Sequence, residues 1–258
     1  MALTYGTIYG DYGDEKVSST TEDLGLDLGT RMILPDGRVY RYAFSDGASG
    51  AGQGVQSSIA LANADTDIAV SSAAAVGAKS ITVTFGTSPN TDVAKDYYAN
   101  GYIFVNDVDG EGHVYKIRAT DAHVAADVSA SPAVTINLMD GDSIKEALTT
   151  SSEVGLVANP YAHVIPTPGG AQTARCVGYA PTEIADDSYF WVQTWGEAAV
   201  LADGTLVIFR PVRVSDGVAG AVEEYSSQTD AEEQEVGYAT NILAATTEYQ
   251  FVFLTISP

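Results

Sequence analysis

Hydrophobic positions along this chain recur mainly at every second residue, in short runs bounded by turn-forming residues. Ile81-Thr-Val-Thr-Phe85 alternates strictly and places Ile81, Val83 and Phe85 on one face of a strand. Ala133-Val-Thr-Ile-Asn-Leu-Met139 alternates in the same way, and Val154 to Ala158 reads as another strand. Tyr102-Ile-Phe-Val105 and Val114-Tyr-Lys-Ile117 flank a glycine-rich acidic loop and predict a hairpin. Leu28 to Phe44 predicts a second: two strand-like runs flank Pro35-Asp36-Gly37, where proline presets one turn dihedral and glycine supplies the other. Ala198 to Phe209 predicts a third around Asp203-Gly204. Gln250 to Ile256 is read as apolar on both faces, the pattern of a buried central strand. Asp92 to Tyr98 and Asp142 to Leu148 are expected to form short helical turns, and no long amphipathic helix is visible. The expected fold class is all-β: antiparallel β-sandwich or barrel lobes with an extended N-terminal arm.

Composition shifts divide the chain. Residues 1–27 are polar, acidic and rich in Gly and Tyr, and read as the arm; Tyr5, Tyr9 and Tyr12 are either pinned on a neighbouring subunit or part of a frayed terminus. Residues 66–157 hold a self-contained strand set and are expected to be an inserted domain. Residues 28–65 and 158–258 would pair into a discontinuous base domain. Asp46 to Gly54 is glycine-rich but lacks phosphate-binding spacing: Val55 stands where a dinucleotide fingerprint needs glycine, and no Gly-Lys-Ser/Thr follows. It reads as a flexible connector.

Charge narrows the function classes. Twelve basic residues oppose 34 acidic ones, a formal net charge of −22 over 258 residues. Such a chain repels nucleic acid and suits a solvated surface or a basic partner. Glu223 to Glu235 reads as an exposed acidic loop. Cys176 is the only cysteine, which excludes an intrachain disulfide and a thiolate metal cluster; its strand-like surroundings read as a small buried hydrophobe. The N-terminal residues lack a basic-then-apolar signal pattern and no apolar run is long enough to span a bilayer, so cytoplasmic synthesis and no membrane partner are expected.

Candidate chemistry is thin. Asp107-Val-Asp-Gly-Glu111 invites a calcium reading, but with Gly110 as the turn glycine the first and last ligand positions fall on Val105 and Lys116, so no metal site is assigned. His113, His123 and His163 stand in no recognisable spacing with a nucleophile, and no catalytic residue or cofactor is expected. Tyr189, Trp191 and Trp195 are read as core aromatics; in an exposed row they would offer a platform for sugars.

Three segments in order resemble the virion proteins of tailed bacteriophages, in particular capsid decoration (cement) proteins. The first is Leu28-Gly-Thr-Arg31 with Pro35-Asp-Gly-Arg-Val-Tyr-Arg-Tyr42. The second is Tyr98-Ala-Asn-Gly-Tyr-Ile-Phe-Val105 with Gly110-Glu-Gly-His-Val-Tyr-Lys-Ile117. The third is Trp191-Val-Gln-Thr-Trp-Gly196 with Ala199-Val-Leu-Ala-Asp-Gly204, then Val222 and Val236-Gly-Tyr238. The resemblance implies a homotrimeric structural protein on the capsid surface, partnered by the major capsid protein, without enzymatic activity. The alternative is a tail or fibre protein that binds a host receptor or glycan. Arg31, Arg38 and Arg41 crowd one hairpin of an acidic chain and read as a docking element; each meets either an acidic group on a partner or the chain's own carboxylates.

Overall fold

The computed structural model describes residues 6–23, 25–59, 67–85, 93–122, 133–225, 233–241 and 247–258. The chain is nearly all β; among the described residues its one helix is a single 3₁₀ turn at Asp14–Lys16. It divides into two compact units, residues 1–59 with 160–258, and residues 60–159.

Eighteen strands follow in chain order among the described residues. The first unit opens with β1 (Thr7–Tyr9), β2 (Ser18–Ser19), β3 (Arg31–Ile33), β4 (Val39–Phe44) and β5 (Gly54–Gln56). The second unit holds β6 (Ile68–Ser72), β7 (Ser80–Thr84), β8 (Tyr102–Asp107), β9 (Val114–Thr120), β10 (Ala133–Leu138) and β11 (Glu153–Val157). The chain then returns to the first unit with β12 (Ile165–Pro166), β13 (Cys176–Tyr179), β14 (Tyr189–Leu201), β15 (Pro211–Val214), β16 (Val222–Glu224), β17 (Glu235–Ala239) and β18 (Tyr249–Thr255).

The second unit is a closed antiparallel barrel in the order β10-β7-β6-β11-β8-β9. Period-two alternation decides its inside. Ile81 and Val83 of β7, Ile103 and Val105 of β8, Val134 and Ile136 of β10, and Val154 and Leu156 of β11 are all buried in one cluster. Each such side chain contributes about 1.5–3 kcal/mol by leaving water. Closure also removes the unpaired edges that an open sheet exposes. The expected β8–β9 hairpin forms, with Tyr102 opposite Lys116 and Phe104 opposite Val114. Its loop carries Gly110 at φ 83°, where a Cβ would lie 2.6 Å from Leu148 Cδ2.

Neither expected helical turn forms a helix among the described residues. Asp96 and Asn100 take left-handed conformations within a run of turns. Across 142–148 the backbone bonds outward: Ile144 N donates to Ala78 O, and Ala74 and Leu148 exchange both bonds. Cross-chain pairing and the burial of Ile144 and Leu148 outweigh local helical bonding there.

The first unit is one sheet with the path β1-β3-β4-β14-β18-β17-β15-β16, to which β2, β5, β12 and β13 attach. β1 runs parallel to β3; the other ladders between named strands are antiparallel. The thirteen-residue β14 is its spine. One stretch pairs with β4, from Tyr189 opposite Phe44 to Trp195 opposite Val39. The other pairs with β18, from Trp195 opposite Thr255 to Leu201 opposite Tyr249. A register shift lies between Gln193 and Trp195, and Gly196 follows at φ 90°. Three buried clusters line this sheet, built around Val200, Val252 and Leu254, around Val177, Phe190 and Val192, and around Met32, Tyr40, Tyr42 and Trp191.

Three expectations are corrected here. Asp203-Gly204 does not join neighbouring strands: Asp203 N donates to Val222 O, and the chain passes buried Leu206 before entering β15, which pairs with β16 and β17. The glycine-rich stretch is a packed crossing, not a loose connector. Gly52 N donates to Ala180 O at 2.7 Å, Leu201 N donates to Gly52 O, and a Cβ on Gly52 would lie 2.7 Å from Ala199 O. Glycine serves close backbone approach there. The terminal strand β18 is central in the sheet but buries one face alone: Gln250, Val252 and Leu254 are buried, whereas Tyr249 and Phe251 are each 48% exposed.

Candidate functional site

The solvent face of β14, β18 and β17 carries the aromatics that β18 does not bury. Alternation puts Trp195, Glu197 and Ala199 of β14 on this side, opposite Thr255, Phe253 and Phe251 of β18, and Tyr238 of β17 lies opposite Phe253. The Trp195 and Phe253 rings meet edge-on with centroids 5.5 Å apart. Tyr238 and Phe253 stack at 5.2 Å and 12°. Tyr238 is 36% exposed. Beside this row lies an open groove of about 620 Å³, lined by Trp195, Glu197, Phe251 and Phe253 on the sheet and by Asp36, Gly37 and Arg38 of the β3–β4 turn. Gly196 brings turn and strand together: a Cβ at this residue would lie 3.1 Å from Arg38 Cγ.

The groove's polar groups are fixed by a hydrogen-bond chain. Arg38 Nε donates to Asp36 Oδ2 and Arg38 Nη1 to Tyr40 Oη, each at 2.7 Å. Tyr40 Oη donates to Gln193 Oε1 at 3.3 Å, and Gln193 Nε2 donates to the carbonyls of Trp195 and Glu197. Buried Glu15 stands 3.8 Å from Arg38 Nη2. Thr240 Oγ1 donates to Glu197 Oε2 at 2.9 Å. Burial works to raise the Asp36 carboxyl, but hydrogen bonds and charge from Arg38 outweigh it and hold the group below its ordinary value. Burial works against the Arg38 charge in turn, and Asp36, Tyr40 and Glu15 more than restore it. Burial, first of all, keeps Tyr40 protonated far above the usual phenol range.

The side chains of Arg38 and Arg41 are held inside their own unit. Arg31 and Arg41 face each other across the β3–β4 ladder. Arg41 donates to the carbonyls of Gly29 and Pro258 and to Ser257 Oγ. Arg38 stands at the groove. Tyr5 lies outside the described residues, while Tyr9 and Tyr12 are 84% and 65% exposed. Trp191 is buried against Tyr42, and Tyr189 stacks on Tyr42 at 5.7 Å; Trp195 alone of the three expected core aromatics belongs to the groove.

The segment from Glu223 to Glu235 is more than a solvated acidic loop. Arg213, buried at 5% exposure, meets Glu233 at 2.7 Å, Glu223 at 3.0 Å and Asp216 at 3.4 Å. Arg210 pairs with Glu224 at 3.2 Å. Asp230 and Glu232 lie outside the described residues. In the loop read for calcium, Asp107 Oδ1 accepts from Val108 N and Asp109 Oδ2 accepts from Thr149 Oγ1. Asp46, Asp186 and Asp187 converge within 4.8 Å, all exposed. His113 Nδ1 lies 3.0 Å from the Gly110 carbonyl and its ring stacks on Tyr115; His163 lies half-buried beside Asp46; His123 falls outside the described residues. Burial raises the Cys176 thiol to about 12, so it is inert at neutral pH.

Sequence reading missed Glu197, Tyr238, Phe251 and Phe253. The signal was present in β18, where aromatics occupy 249, 251 and 253 and aliphatics 252 and 254. No helix among the described residues is long and apolar enough to cross a membrane. Compared with known proteins, the chain matches no family model, no curated protein and no solved structure.

Proposed function

We propose that this chain is a structural protein of a tailed-phage virion that binds the outside of the capsid, as a homotrimer, and stabilises the shell without catalysis. The observation that carries the reading is the N-terminal edge of the first unit. β1 ends the sheet path, pairing only with β3 among the described strands, and it presents Tyr9 with Tyr12 close behind. An unpaired strand edge with two exposed tyrosines is adhesive: backbone groups seek partners, and each ring offers a large apolar area at low entropic cost. The resemblance of the three ordered segments to decoration proteins supplies the partner, the major capsid protein. The net charge of −22 suits an exterior position away from packaged DNA. A ligand that binds the assembled lattice better than free subunits stabilises the lattice by mass action.

The test is to add the purified chain to capsids that lack it and to image them by electron microscopy. Density at regular capsid positions, and capsids that withstand greater heating, are expected. Tyr9→Ala with Tyr12→Ala should lower occupancy while leaving the melting temperature within about 2 °C, as expected for exposed positions. Absence of the chain from virions of the phage that encodes it would refute the reading.

A further inference from the structure

We propose that the groove beside Trp195 is a binding site for a neutral saccharide. The site is built from the residues on its floor and rim. Trp195, Phe251 and Phe253 form the floor, and Asp36, Arg38 and Glu197 the polar rim. Aromatic faces left in water are suited to the apolar C–H face of a pyranose ring, whose hydroxyls then point outward to donors and acceptors at the edge. The rim supplies both kinds: carboxylate oxygens on Asp36 and Glu197, and a guanidinium on Arg38. These groups are already held, Asp36 and Arg38 by each other, Arg38 by Tyr40, and Glu197 by Thr240. A ligand therefore does not have to order them, which lowers the entropic cost of binding. The volume of about 620 Å³ lies in the range of small-ligand sites.

Charge selects the class of ligand. Two rim carboxylates face one arginine, itself approached from behind by Glu15, on a chain of net charge −22. That field repels sialic acids, uronic acids and sulfated sugars, and leaves hydroxyl-rich neutral ones. The same excess of carboxylates disfavours a second copy of this equally acidic chain as the occupant.

This site does not rest on the capsid reading, and the variants separate the two. The protein is applied to an array of neutral hexose and N-acetylhexosamine oligosaccharides alongside their sialylated and sulfated counterparts, and the best neutral ligand is then titrated by isothermal calorimetry. Binding to neutral members is expected, with a loss of roughly tenfold or more for Trp195→Ala. Phe251→Ala, at an exposed position, and Glu197→Gln should also weaken binding with an unchanged melting temperature. The pair Tyr9→Ala, Tyr12→Ala should leave sugar affinity intact. No neutral ligand on the array, a preference for anionic glycans, or full affinity in the Phe251→Ala variant would overturn the proposal. So would an oligomer of the protein that dissociates on Trp195→Ala, since the face would then be a contact between copies.

Discussion

Replacing Arg213 by alanine tests how the first unit tolerates its own acidity. Arg213 is 5% exposed and draws together Glu233 at 2.7 Å, Glu223 at 3.0 Å and Asp216 at 3.4 Å. Glu233 and Glu223 are themselves only 8% and 21% exposed, so truncation leaves two partly desolvated carboxylates facing each other with no cation between them. Breaking a buried ion pair from one side costs about 3–5 kcal/mol. Asp216, at 52% exposure, admits water and argues for the lower part of that range. For a unit of this size each kcal/mol corresponds to about 2–4 °C, so Tm should fall by about 6–20 °C. Urea denaturation at pH 7 measures the loss directly. The pH dependence is a second check. Burial, the largest influence, already raises the Glu223 carboxyl, with repulsion from Asp216 and Asp203 adding to it and Arg213 opposing. Without Arg213 the Glu223 carboxyl takes up a proton at higher pH and relieves the repulsion, so the gap between variant and parent should narrow on acidification toward pH 5. Glu223→Gln in the Arg213→Ala background should recover part of the loss. A penalty below about 1 kcal/mol, or one independent of pH, would mean that the cluster is screened like an ordinary surface network and would refute the reasoning.

Three further outcomes are expected. Gly237→Ala should weaken the β17–β18 ladder by about 1–3 kcal/mol in urea titration, because its Cβ would lie 2.1 Å from Phe253 O, while Gly170→Ala, with nothing within 4 Å, should change stability by less than about 0.5 kcal/mol. Cys176 should not react with a thiol-specific chromogenic reagent in the folded protein and should react at once in urea; prompt labelling of the native state would contradict its burial. Burial lowers His163 below its ordinary value of 6.5, with Asp46 partly opposing, so below that pH the unfolded chain binds more protons than the folded one. Stability of the first unit should therefore drop as pH falls through about 6.5, with a shallower drop in His163→Gln; an unchanged slope would assign the effect to other groups.

The barrel was legible because its strands keep the period of two. Ile81, Val83, Val134 and Ile136 could be assigned to the inside from spacing alone, and they lie there. The Pro35-Asp36-Gly37 turn was legible because turn chemistry is local. The Asp203-Gly204 signal is equally local, yet the chain there is captured by Val222 and Ser215, distant partners that no window of neighbouring residues contains. β18 was misread because its exposed aromatics imitate a second buried face, and exposure depends on what covers a sheet, not on the strand's own residues. The groove was illegible for a related reason: it joins a turn near residue 37 to strands near 196 and 252, and only the ladders of β14 bring these together.

The two-sided pairing of β14 also sets a timetable for synthesis. Its partners come from opposite ends of the sequence: β4 precedes the barrel unit, and β18 is the last strand of the chain. The barrel occupies residues 60–159 without interruption, so all its strands are translated before β14. It can close while β1 to β5 still lack their spine. At about 5–20 residues per second, the roughly 100 residues that follow take about 5–20 s to appear. Until β14 appears within that interval, β4 has only β3 beside it, and the apolar face with Met32, Tyr40 and Tyr42 waits for Trp191. Slower translation beyond residue 160 would lengthen the wait and raise the fraction of chains lost to aggregation, with no change in the folded protein.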